Sequence, residues 1–218
     1  VVMQSGLLDK MCESVGNKND LILPILEVFT EFVSSFHKVS KFEQYVTKLF
    51  VLIVDAFSNF SEEEFMKLPL KNMLSLFSAV ETCVCYYYSI FYNFDIFQHL
   101  ITVLKWIVEV MSKNDEQSLF EIACSIWLNI FHNSMLSNSQ QPLIESFYPT
   151  LRRIFILRMP KSYQFNIIID EFDNETKEYQ NIFPNDSLFS LVRDCLVFLC
   201  NFDPYDTLNA INELLENP

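Results

Sequence analysis

From Ile22 onward, apolar residues recur at the three- and four-residue spacing of helices that bury one face. Ile22, Ile25, Leu26, Phe29, Val33 and Phe36 form the first stripe; Phe42, Tyr45, Val46, Leu49, Ile53, Ala56 and Phe57 form the second. Ser61 with Glu64 three residues on has the form of a capping box, so a further helix begins near 62. Pro69 falls inside its pattern. Lacking an N–H and clashing with the preceding turn, it predicts a kink or a restart, after which Met73, Leu74, Phe77, Val80 and Val84 resume the stripe and carry the element to 92. Asp95 is the expected cap of a helix bearing Phe97, Leu100, Ile101, Leu104, Val108 and Met111. Asp115 is expected to open another with Leu119, Ile122, Ala123, Ile126, Trp127, Ile130 and Phe131. Residues 133–141, rich in Ser, Asn and Gln, predict a loop. A helix through Phe147, Leu151, Ile154 and Phe155 follows, with Pro149 near its start or at a bend.

Between Lys161 and Asn185 the helical period stops. Phe165 to Ile169 is apolar and β-branched, Asp173-Asn174-Glu175-Thr176 offers a turn, and Tyr179 to Phe183 is a second, weaker apolar strip; together they predict a β-hairpin. Helical spacing returns at Leu188, Leu191, Val192, Cys195, Leu196 and Leu199. Asp203-Pro204 with Asp206 marks a last start, with proline at the first helical position, and Tyr205, Leu208, Ile211 and Leu215 form that helix's stripe. Helix starts thus fall near 20, 40, 62, 95, 115, 140, 186 and 204. Two successive helices span about 40–47 residues, the HEAT or armadillo period. The expectation is an all-α chain, a HEAT-repeat superhelix with one inserted acidic hairpin; a compact helical bundle has a similar pattern. In a solenoid a single unit cannot bury its apolar face alone, so cut ends would expose apolar surface and favour dimers or aggregates.

Composition sharpens this. Half of the 218 residues are hydrophobic and 20% are charged, which supports a large core. There are only 2 glycines, Gly6 and Gly16, so the Gly-rich loops of phosphate sites and the turns of hairpin-rich sheets have no material after residue 16. Acids outnumber bases, 28 to 15, for a net charge of −13. Nucleic acid is a poor partner for such a surface; a basic protein is a better one. The least charged stretch, Asn72 to Phe94, is interrupted by Glu81, and no run reaches the roughly 18 apolar residues of a membrane span. The chain opens on Val1, and we read it as an internal piece of a longer protein.

Candidate chemistry is sparse. His37, His99 and His132 lie on separate helices, outside any HExxH or metal-ligand spacing. The six cysteines, at 12, 83, 85, 124, 195 and 200, form no CxxC; most are expected to be reduced core thiols. Cys83 and Cys85, two residues apart on a helix, are separated by about 200° around its axis. Glu62-Glu63-Glu64 complements a helix N-terminus. The aromatic run Tyr86-Tyr87-Tyr88, Phe91, Tyr92 has no basic residues among it to suggest base stacking. Asn59, Asn174 and Asn185 match glycosylation triplets, which recur by chance. No enzyme, metal or cofactor is expected. The informative segment is 161–185: a loop this long inside a domain is usually functional or disordered. Its acids, Asp170, Glu171, Asp173, Glu175 and Glu178, gather around the turn, and Phe165, Ile167, Ile169, Tyr179, Ile182 and Phe183 line the arms.

Here a family resemblance enters. Arg158-Met159 and Lys161, running into Phe165-Asn166-Ile167-Ile168-Ile169-Asp170-Glu171, resembles the segment of the exportin-1 family, within the importin-β/karyopherin superfamily, where a helix end passes into an acidic hairpin. Arg193-Asp194-Cys195 through Leu199, then Asp203-Pro204-Tyr205-Asp206-Thr207, is similar to the helix and corner that follow it. Phe42 to Phe50 and Phe120 to Trp127 resemble two further helices of that family, in the same order. The chain departs from the family at Pro69 and Pro160 and in a shorter segment around 133–141. The resemblance implies a block of HEAT repeats over 1–218, with 161–185 inserted in one repeat, from a receptor shuttling between nucleus and cytoplasm. It implies that the hairpin contacts the small GTPase Ran in its GTP form and that, without Ran, the hairpin favours closure of the cargo groove. Leucine-rich export-signal cargo would bind repeats outside this segment, and nuclear pore proteins would be further partners. Helices 20–36, 62–92, 115–134 and 186–200 would form one layer, the concave one. An import receptor of the same superfamily or a generic HEAT scaffold shares the repeats and the acidity.

Overall fold

The computed structural model describes residues 31, 43–58, 60–133, 140–159, 163–169, 175–181 and 187–216. This part of the chain is mostly helical and falls into two units, Val1–Tyr148 and Pro149–Pro218. The first expected stripe, Ile22 to Phe36, lies outside the described residues.

In the first unit, α1 (Glu43–Ser58) turns Val46, Leu49, Phe50, Ile53 and Val54 inward. Ser61 caps α2 (Glu62–Met66), a single turn closed by the expected capping box. The Ser61 hydroxyl accepts from the Glu64 amide at 3.3 Å, and the Ser61 amide donates to Glu64 Oε2 at 2.8 Å. These bonds to the charged form hold the Glu64 carboxyl below the usual carboxylate range, first through the Ser61 amide and then through its hydroxyl. A depressed carboxyl stabilises the fold above its unfolded pKa, and that contribution disappears as pH falls through the folded value. An NMR titration of the Glu64 carboxyl carbon will therefore give a midpoint below that of a free glutamate, and Ser61→Ala will move it upward. A midpoint indifferent to Ser61 would remove the box.

Pro69 restarts the helix. It serves as the N-cap of α3 (Leu70–Tyr86), and its carbonyl accepts from Asn72 and Met73. Helix α3 ends earlier than its apolar pattern predicts: after Tyr87 the chain tightens into a 3-10 turn, Tyr88–Tyr92, which buries Tyr88, Ile90 and Phe91. The cap of α4 (Phe94–Lys113) is Asn93, not Asp95; Asn93 Oδ1 accepts from the amides of Asp95 and Ile96. Asp95 sits in the first turn, where its charge meets the positive end of the helix. Likewise Glu116, not Asp115, precedes α5 (Gln117–His132), and its amide is held by Asn114 Oδ1 at 2.8 Å. The six predicted core positions of α4 are all buried, and so are those of α5 except Ile122.

Helix α3 packs on α5, α1 on α4, and α4 on α5, while the 3-10 turn rests on α3 and α4. Trp127 is fully buried on α5, between the rings of Phe131 and Phe147. The expected helix after residue 140 is split: α6 (Gln141–Glu145) and α7 (Tyr148–Leu157) are separated by a turn at Ser146–Phe147. Gln140, buried just before α6, donates from Nε2 to the Phe91 carbonyl at 2.7 Å.

In the second unit, β1 (Tyr163–Ile169) pairs antiparallel with β2 (Glu175–Asn181), from Tyr163 opposite Asn181 to Ile169 opposite Glu175. Helix α8 (Ser187–Phe202) packs on α9 (Pro204–Glu216). Pro204 is the first residue of α9, and Asp203 Oδ1 accepts from the Asp206 amide at 3.0 Å. The stripe predicted for α9 corrects in direction. Tyr205, Leu208, Ile211 and Leu215 are exposed, and the helix turns Thr207 and Ala210 inward instead.

Candidate functional site

The residues singled out by the sequence divide between described and undescribed positions. Asp170, Glu171 and Asp173, and the arm residues Ile182 and Phe183, lie outside the described residues. Glu175 and Glu178 are in β2, Phe165, Ile167 and Ile169 are in β1, and Tyr179 is in β2. The ladder sets Phe165 opposite Tyr179, Ile169 opposite Glu175, and Asn166 opposite Glu178. Strand β1 owes its extended form to a β-branched run, Ile167 to Ile169, beside Tyr163 and Phe165. Strand β2, with the sequence ETKEYQN, has only Thr176 and Tyr179 of that kind and depends on its partner for its register. Successive strand positions alternate between two faces. Phe165, Ile167 and Ile169 therefore share one parity, with Tyr179 as the register partner of Phe165. Glu175 and Glu178 stand three positions apart on β2.

Other titratable groups mostly join helix to helix. His99 on α4 is 3.2 Å from Asp55 on α1 through Nε2, and its Nδ1 lies 2.8 Å from the Asp95 carbonyl. The Ser125 hydroxyl on α5 donates to Glu81 on α3. Ser89 donates to Glu43 at 2.8 Å. His132 is exposed, and His37 lies outside the described residues. Among the described residues, no three His, Cys, Asp or Glu gather as a metal ion needs, and no helix is long and apolar enough to cross a membrane.

Most of the described cysteines are buried, as expected of core thiols. Cys83, Cys124 and Cys195 are buried, whereas Cys85 and Cys200 are exposed; Cys12 lies outside the described residues. Although much of Cys85 meets solvent, desolvation by its surroundings, and then the charge of Glu81, pushes its thiol up to about 11. Burial pushes Cys195 up to about 12. Thiols raised in this way are poor nucleophiles at neutral pH. Of the tyrosine run, Tyr87 and Tyr88 are buried, while Tyr86 and Tyr92 are about half exposed.

Two features escaped the linear reading. One is Arg152 of α7, which is 2% exposed. Its Nη1 forms an ion pair with Asp206 of α9, and its Nη2 donates to the Leu199 carbonyl of α8 at 3.0 Å. The other is the outward apolar row of α9. The signal for it was present in Thr207 and Ala210, two small residues three apart on the opposite side of the stripe. No protein-family model matches the chain, and no curated protein matches it.

Proposed function

We propose that the chain is a block of HEAT repeats from a nuclear export receptor, and that its acidic hairpin, 161–185, meets GTP-bound Ran. The observation that carries this reading is a paired ladder, Tyr163–Ile169 with Glu175–Asn181, standing between helices in a helical chain of net charge −13. The packing of alternate helices in the first unit, α1 with α4 and α3 with α5, supports repeats stacked in two layers. The resemblance in the Arg158–Lys161, Phe165–Glu171 and Asp203–Thr207 segments supports the export-receptor family over other repeat proteins.

The mechanism is a population shift. The hairpin has two docking states, and Ran in its GTP form binds one of them; that differential affinity moves the receptor toward its cargo-competent form. Asp170, Glu171, Asp173, Glu175 and Glu178 face Lys and Arg on Ran. Each exposed pair contributes only about 0.2–1 kcal/mol, so the cluster acts as a set. Leucine-rich export-signal cargo binds repeats outside this block, and contacts with nuclear pore proteins carry the receptor between nucleus and cytoplasm.

Changing the five acids to Asn or Gln in the full-length receptor will weaken Ran-GTP binding at least about tenfold and weaken cargo binding with it. Ran in its GDP form will bind neither version. Equal Ran-GTP affinity of the two versions would end the role given to the hairpin, and binding to neither nucleotide form would leave a generic HEAT scaffold.

A further inference from the structure

We draw no further inference here: the strongest candidate, the exposed apolar row of Tyr205, Leu208, Ile211 and Leu215 along α9, carries nothing because nothing in the structure shows what covers it.

Discussion

Asp206→Ala will lower the unfolding free energy by about 3 kcal/mol, because it strands a buried guanidinium. The Arg152 side chain is 2% exposed and that of Asp206 is 30% exposed, so the pair sits at the edge of the core with the cation on the inner side. Among the described residues, removal of the carboxylate leaves Arg152 with one acceptor, the Leu199 carbonyl, since its Nε has no partner there. Partial access of water to Asp206 places the effect at the low end of the range for breaking a buried pair. Urea unfolding with an unchanged m-value measures it. Replacing both partners together, Arg152→Met with Asp206→Leu, will restore most of the loss, because no charge then needs compensation. A single Asp206 variant that loses less than about 1 kcal/mol would show that solvent, not the core, surrounds this pair.

Trp127 gives the second large effect, and it has opposite outcomes for two substitutions. Its side chain is fully buried on α5, against Phe131 at 5.8 Å and Phe147 at 5.4 Å between ring centroids. Trp127→Ala removes the whole ring pair and will cost about 3–5 kcal/mol. Trp127→Phe should cost far less than its lost volume suggests. Among the described residues the buried indole Nε1 has no acceptor, and an unsatisfied buried donor costs about 1–3 kcal/mol in its own right. Phenylalanine deletes that penalty along with part of the volume, so the two changes offset. Thermal melts of both variants decide the matter; a Phe variant as unstable as the Ala variant would mean that Nε1 has a partner after all.

How much was legible in the sequence follows from which forces act locally. Periodicity located α4 and α5 because a helix that packs on two neighbours, as α4 does on α1 and α5, needs a full apolar stripe. The Ser61–Glu64 box and the Pro69 restart were legible because both depend on backbone groups within a few residues. The caps at Asn93 and Glu116 were misplaced by one or two residues, since Asn93 competes with Asp95 for the same role and only geometry chooses. The end of α3 at Tyr86 was missed because the aromatic run continues the stripe straight into the 3-10 turn. The direction of α9 was missed for a different reason. A stripe states which face is apolar, not which face is inside, and two small residues on the other face decided that. The Arg152–Asp206 pair spans 54 positions of chain, beyond the reach of any local pattern. In the segment read as a hairpin, the register that sets Tyr163 opposite Asn181 is carried by cross-strand pairing, which composition does not state.

The break at Pro69 has a dynamic consequence. A five-residue helix does not persist alone, since nucleation costs more than one turn returns. The cap of α2 and Phe65, almost fully buried and stacked on Trp106 of α4 at 5.2 Å, help to anchor it. Proline interrupts the amide ladder between α2 and α3, so opening of one does not unzip the other. Residues 62–66 thus form a separate, weak cooperative unit whose amide exchange rises when Phe65 leaves Trp106.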